Sequence, residues 1–154
     1  MKHLGRILSL LILVSVAVFF AACDKGDGDD SSEKEKQIAL LAGTWTATSV
    51  TNDGDTQAPD YDGFTITITG SSSEQMTYVT NNRPTGKLSP WNANGTIVFG
   101  DNISTQLLRD DNVPITYSLS GNTLTLTMEN YSGEGYVVGR TETVEGDWIF
   151  TMTK

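Results

Sequence analysis

The chain has 154 residues, with 19 Asp and Glu against 10 Lys and Arg. Because Lys2 and Arg6 precede Cys23, the chain from Cys23 onward holds 8 basic and 19 acidic residues, a net charge of −11 that argues against nucleic-acid binding. The single cysteine is Cys23 and the single histidine is His3, so the region after Cys23 cannot form a disulfide, a Cys/His zinc site or a Ser-His-Asp triad within one chain.

The first 23 residues have the pattern of an export signal. A short basic start is followed by 16 residues, 7–22, that are apolar except for two serines. A helix that spans a membrane needs roughly 20 residues, so this run is typical of a cleaved signal peptide. Its end, Phe20-Ala21-Ala22-Cys23, resembles the lipobox of bacterial lipoproteins, with Phe20 in place of the usual Leu. The resemblance implies cleavage after Ala22 and acylation of Cys23, which would anchor the protein to a membrane.

The segment that follows Cys23 predicts a flexible acidic tether over residues 23–37. Residues 24–36 are polar throughout and show no apolar periodicity. The acidic cluster through Asp30 is similar to the export tags of Gram-negative surface lipoproteins, whereas Asp24 directly after the cysteine resembles the inner-membrane retention signal of enteric bacteria. We favour the outer membrane as the location of the domain at 38–154, and the sequence leaves both orientations open, towards the periplasm or exposed at the cell surface.

The rest of the chain alternates apolar residues with threonine, as half-buried antiparallel strands do. A short helix is predicted over 33–42, and the turn Ser120-Gly121-Asn122 predicts a tight hairpin. Turn-forming clusters separate the other segments, including those at 52–55, 133–135 and 145–147. The predicted strands cover 44–51, 64–69, 76–80, 96–99, 105–109, 115–119, 123–128, 136–141 and 148–153.

These features predict an all-β fold: a small antiparallel up-and-down β-barrel of about eight strands, with a short helix before the first strand. A two-sheet sandwich is the alternative, but closure removes unpaired strand edges and favours the barrel. The predicted inward side chains are Trp45, Phe64, Ile66, Ile68, Tyr78, Ile97, Phe99, Tyr117, Leu119, Leu126, Trp148 and Phe150.

The first strand starts with a Gly-x-Trp sequence, Gly43-Thr44-Trp45, after the predicted helix. It resembles the opening of lipocalins, and residues 146–154 are similar to the closing strand of small lipocalin-like bacterial outer-membrane lipoproteins. The resemblance implies that Gly43 permits a tight entry and that Trp45 packs across the barrel floor. Two features depart from the family: no Thr-Asp-Tyr turn occurs, and the arginine expected to stack on the tryptophan could only be Arg140, one strand too early.

Two functions fit this interpretation. A lipocalin-like interior implies binding of a small apolar or amphipathic ligand, although the same inward side chains would also suit a filled core. Alternatively, the domain is a surface interaction or structural module that uses its loops, because Tyr61, Trp91 and Tyr131 lie in turn-rich segments where aromatic side chains could act as binding anchors.

Catalysis is not expected from these residues. Carboxylates such as Asp60 and Asp62 would have to carry any acid–base chemistry. The acidic run from Asp53 to Asp62 suits either a weak calcium loop or, as we favour, a solvated turn. We therefore expect no enzyme activity, no cofactor, no metal and a monomer tethered to the membrane through Cys23.

Overall fold

A computed structural model describes residues 28–70, 75–137 and 140–154. The predicted signal peptide and the acylation site at Cys23 lie outside the described residues. The described elements are one helix and nine strands: α1 (Gly28–Leu41), β1 (Gly43–Asn52), β2 (Asp55–Thr56), β3 (Thr65–Thr69), β4 (Gln75–Asn81), β5 (Asn94–Phe99), β6 (Gln106–Arg109), β7 (Pro114–Ser120), β8 (Thr123–Val137) and β9 (Arg140–Thr153).

Eight of the strands form a closed antiparallel barrel, as the alternating pattern predicts. Each strand from β3 onward pairs with the next, β1 pairs with β3, and β9 returns to β1 through pairs such as Thr46 with Thr153. The two-residue strand β2 adds only a short extension to β1. The predicted hairpin between β7 and β8 is confirmed, and its turn begins at Gly121, which has a φ of 58°.

The barrel has two differently built ends. At the lower end, α1, the start of β1, the loop 100–105 and the chain terminus come together. At the upper end are the loops 53–64, 82–93 and 110–113 and the outer part of the β8–β9 hairpin, residues 131–146. The alternation of burial along β4, in which every second residue is buried, shows how each strand presents one face to the interior.

The start of the helix differs from the prediction. α1 begins at Gly28 rather than Glu33, so residues 28–32, which were expected to belong to the flexible tether alone, are helical. Ile38 and Leu41 are buried against the barrel, and Ser104 donates a hydrogen bond to Glu33 Oε1 at 3.0 Å. Tertiary contacts therefore stabilise a helix that its polar first turns do not suggest.

The prediction for residues 133–147 was also wrong. Residues 136–141 do not form a separate strand, and 133–135 and 145–147 are not turns, because β8 and β9 continue through them and pair Val137 with Arg140. Gly135 is required for close packing rather than for a turn: a Cβ there would overlap Val144 and lie 2.9 Å from Leu88 Cβ. Glycines in a strand often mark such close approaches.

The core agrees with the predicted inward side chains. Ten of the twelve are buried, and the other two, Phe99 and Leu119, are partly buried and pack against the core. Met76, Leu124 and Met152 are among the other buried hydrophobic residues of the core.

Gly43 and Trp45 lie at the start of β1, directly after α1. Gly43 has a φ of 130° where the chain leaves α1, a conformation that residues with a Cβ rarely adopt. Trp45 is fully buried, and its Nε1 donates to the Leu41 carbonyl at 2.8 Å. A cation lies over its ring: Lys154 Nζ is 4.5 Å from the ring centroid.

Candidate functional site

The three aromatic residues predicted as loop contacts lie at the upper end, but they do not face solvent. Tyr61, Trp91 and Tyr131 are only 5%, 2% and 4% exposed. Tyr131 belongs to β8, while Tyr61 and Trp91 fold inward from the loops that cover the barrel. The surface-module hypothesis therefore loses the exposed anchors on which it depended, since a buried ring cannot contact a partner protein.

Phe150, on β9, is the centre of an aromatic cluster beneath these loops. The rings of Tyr61, Trp148 and Trp91 lie 5.5, 6.0 and 6.1 Å from it, centroid to centroid. Tyr61 and Trp91 meet it edge-on, whereas Trp148 stacks nearly parallel to it. Such contacts stabilise by about 0.5–1.5 kcal/mol each beyond simple burial, so the cluster holds the upper loops against the barrel.

Each of these three rings carries a buried polar atom that has no hydrogen-bond partner within the described residues. These atoms are Tyr61 Oη, Trp91 Nε1 and Trp148 Nε1, and the one other such atom is Asn52 Oδ1 at the end of β1. Leaving a buried polar group unpaired costs about 1–3 kcal/mol, and native proteins contain few such groups. Three of them around a single ring make this part of the interior the candidate site.

Burial dominates the environment of the Tyr61 hydroxyl. Burial raises the pKa of its hydroxyl well above the ordinary value; the nearby Ser89 hydroxyl lowers it slightly and the Asp60 charge raises it further. Ser89 does not satisfy the phenol, because Tyr61 Oη makes no hydrogen bond of normal geometry. The Tyr61 hydroxyl is therefore neutral at physiological pH and remains available as a donor.

Arg109, which the sequence did not identify, is the one buried charged side chain among those described. It donates to both carboxylate oxygens of Asp111, at 2.8 and 2.7 Å, and to the Pro90 carbonyl. Its guanidinium also lies 5.4 Å from the Trp91 ring and 5.7 Å from the Tyr131 ring. It therefore fixes the 82–93 loop, and with it Trp91, over the upper end.

Asp111 keeps Arg109 charged despite its burial. Desolvation disfavours the guanidinium charge, but the hydrogen bonds and the charge of Asp111 outweigh it, so the pKa of Arg109 is raised. Burial likewise pushes the pKa of Asp111 upward, yet Arg109 reverses that effect and lowers it below its usual value of 3.8. The pair is thus ionised across the physiological range.

Two described clefts show where a molecule has room. One, of about 30 Å³, lies beside Tyr61 and is lined by residues of β1 and by Ala58 and Asp62. The other, of about 270 Å³, is open to solvent and lies across β6 and β7, lined among others by Leu107, Leu108 and Ile115. Of the three residues with unpartnered atoms, Tyr61 lines the first cleft and none lines the second.

The acidic residues do not form a metal site in the part of the chain that the structure describes: no three Asp, Glu, His or Cys side chains are grouped to hold an ion. Asp60 pairs instead with Lys87, and Asp53 accepts a hydrogen bond from the Asp147 amide at 2.8 Å. Asp110 and Asp111 turn to different partners, Thr96 and Arg109, as expected for neighbours near a strand end.

No described helix is long and apolar enough to cross a membrane. No family model matches this chain, and neither a curated protein nor a solved structure is similar to it. The lipocalin-like interpretation therefore depends on the Gly-x-Trp start and on the barrel itself.

Proposed function

We propose that this protein is a lipoprotein acylated at Cys23 and held at the outer membrane, whose lipocalin-like barrel binds a small amphipathic molecule in its upper half. The observation that supports ligand binding is the group of three unpartnered polar atoms on Tyr61, Trp91 and Trp148 around Phe150. A bound molecule would pair these atoms and pack an apolar portion against the rings.

The lower end provides a comparison inside the same molecule. There the buried indole of Trp45 is paired with the Leu41 carbonyl, and the Tyr117 hydroxyl donates to the Ile103 carbonyl. The barrel can therefore satisfy buried aromatic donors where they serve stability alone. Among the described residues, the buried side-chain donors without a partner all lie at the upper end. Their position supports a role in binding, since departures from local satisfaction tend to occur at functional sites.

Entry of a ligand requires the Tyr61 segment to move. A cleft of about 30 Å³ holds about two water molecules, too little for an organic ligand. Two backbone bonds of this segment are internal, from Asp60 N to the Gln57 carbonyl and from Asp62 N to the Pro59 carbonyl, and one, from Gln57 N to the Val50 carbonyl at 2.8 Å, ties its start to β1. Two exposed side-chain contacts, Lys87–Asp60 and Asn82–Gly63, join it to the 82–93 loop. We propose that residues 57–63 swing outward as a unit and reveal the space around Phe150.

Anchoring is tested in cells by labelling the full-length chain with an alkyne analogue of palmitate. We expect label on the wild-type protein in the outer-membrane fraction. The matched variant Cys23→Ser should carry no label and leave the membrane. Equal labelling of both chains, or recovery of the wild type in the soluble fraction, would contradict the proposed anchor.

Binding is tested with the neutral apolar probe N-phenyl-1-naphthylamine, whose fluorescence rises in apolar sites. The wild type should bind one probe, and Tyr61→Ala should bind it more tightly because the ring that closes the upper end is removed. Tyr117→Phe at the lower end is the control and should behave as the wild type. Absence of probe binding to both the wild type and Tyr61→Ala, with circular dichroism showing folded barrels, would overturn the proposed function.

A further inference from the structure

The unpartnered atoms around Phe150 have one chemical character. Trp91 Nε1 and Trp148 Nε1 can only donate hydrogen bonds, and Tyr61 Oη has a proton to donate. Burial raises the pKa of Tyr61, so that proton stays on the hydroxyl. The complementary ligand group is therefore an acceptor, and a carbonyl oxygen, with two lone pairs and no proton, accepts from two of these donors at once.

The charges nearby oppose an ionised ligand. Arg109 is the one buried charged side chain among the described residues, but its charge is already balanced by Asp111, and four of its five N–H donors go to Asp111, the Pro90 carbonyl and the Tyr131 hydroxyl. A carboxylate among the rings would thus be buried without a free counter-charge, which is strongly unfavourable. An ammonium group would face three donor hydrogens and the Arg109 guanidinium, 5.4 Å from the Trp91 ring.

We propose that the upper end of the barrel selects uncharged molecules that carry a ketone, ester or amide carbonyl on an apolar chain. This inference rests on the proposed binding function, which it narrows to one ligand class. The carbonyl accepts from the aromatic donors, and the apolar chain lies among the rings of Phe64, Trp148 and Phe150. The Tyr61 segment moves outward only far enough to open this space, so that Tyr61 Oη stays at its edge as one of the donors.

The selection is tested with three compounds of equal length, decan-2-one, decanoate and decane, each displacing N-phenyl-1-naphthylamine from the full-length protein at pH 7. We expect decan-2-one to displace the probe at about tenfold lower concentration than either of the others. Decane gains no hydrogen bond from the site, and decanoate must lose the hydration of its charge. Lowering the pH to about 4.5, where a carboxyl group begins to take up its proton, should strengthen decanoate and leave decan-2-one unchanged.

Variants that each lack one donor show whether the aromatic polar atoms bind the carbonyl oxygen. Tyr61→Phe and Trp148→Phe each keep a ring and remove one donor, so each should weaken decan-2-one by about five- to tenfold and leave decane unchanged. Tyr117→Phe, which removes a hydroxyl at the lower end, is the matched control and should change neither compound. A merely structural role for Tyr61 or Trp148 would move both compounds together.

The possible outcomes distinguish a failure of this inference from a failure of the proposed ligand binding. If the probe binds and decanoate displaces it at pH 7 as well as or better than decan-2-one, the neutral-carbonyl inference is wrong, but ligand binding is still supported. Equal displacement by all three compounds, insensitive to Tyr61→Phe, overturns it as well and shows a site of purely apolar character. Failure of the probe and all three compounds to bind contradicts the proposed function itself.

Discussion

Both ends of the barrel bury aromatic side chains, but the two ends differ in whether the polar atoms of those side chains are hydrogen-bonded. At the lower end, Trp45 is covered by α1 and by Lys154, and its indole nitrogen is paired. At the upper end, Trp91 and Trp148 are as deeply buried, yet their indole nitrogens have no partner among the described residues. The difference shows which end was built for closure and which retains unmet bonding capacity.

The means of closure differ as well. A helix and a terminal lysine seal the lower end, where Lys154 Nζ donates to the carbonyls of Leu40 and Ala42 at 2.9 and 3.0 Å. These carbonyls end α1, so a positive charge there also complements the helix dipole. The upper end is covered by loops, and the buried Arg109 network fixes only one of them, residues 82–93. The segment that carries Tyr61 is the less restrained cover.

The largest expected effect is at Arg109, where the upper end depends on a buried charge. Arg109→Leu removes the donors to Pro90 and Asp111 and should destabilise the protein by roughly 2–4 kcal/mol, slightly below the range for a fully buried pair because Asp111 can reach water. Urea unfolding followed by tryptophan fluorescence measures it. A loss below about 1 kcal/mol would show that the 82–93 loop is held by other contacts.

The next effect compares the two ends directly with the same substitution. Trp45→Phe strands the Leu41 carbonyl, whereas Trp148→Phe removes a donor that is already unpaired. We expect Trp45→Phe to destabilise the fold by about 1–2 kcal/mol more than Trp148→Phe, because both remove similar volume and only the first breaks a hydrogen bond. If both variants lose the same free energy of unfolding, the hydrogen bond of Trp45 does not distinguish the lower end from the upper end.

A smaller effect is expected at the chain terminus. Lys154→Met keeps the aliphatic stem but removes the charge over Trp45 and both bonds to α1, which should destabilise the protein by about 1 kcal/mol. Lys154→Arg is the matched control and should retain most of that stability. If the methionine and arginine variants unfold at the same urea concentration, the cation at this position contributes nothing to closure.

The smallest effect is a dependence of stability on pH at the upper end. The pKa of Asp111 is lower in the folded protein than its value of 3.8 when unperturbed, so its ion pair stabilises the fold above about pH 3.8, and this contribution is lost as the pH falls through the folded pKa. Asp111→Asn should therefore lose less stability than the wild type between pH 5 and the acid limit. Parallel acid-unfolding curves for the two chains would exclude this contribution.

Much of the barrel could be predicted from the alternation of side chains. The strand segments at 64–69, 123–128 and 148–153 and most of the inward residues are where the period-two pattern places them, because that pattern reflects the pleat of a single strand. The long β8–β9 hairpin could not be predicted in this way. Its glycines have the composition of turns, and only the close approach of Val144 and Leu88 shows why glycine is needed at 135.

The candidate site was harder to predict than the fold. Tyr61 and Trp91 were noticed for their aromatic rings in turn-rich segments, but their burial follows from how the loops close over Phe150. Arg109 gave little signal, since an arginine at a strand end usually faces solvent. Asp111, two residues later, was the only local hint that its charge could be paired.

The alternating strands, the Gly-x-Trp entry at Gly43 and Trp45, and the absence of thiol and imidazole groups after Cys23 can all be derived from the residues in order. These properties depend on residue identity or on neighbours one or two positions apart. The folded barrel is needed to show that Lys154 covers Trp45, that Arg109 holds the 82–93 loop, and that Tyr61, Trp91 and Trp148 surround Phe150 with unpaired polar atoms. Those contacts join residues far apart in the chain, so they exist only once strand register and barrel closure have brought them together.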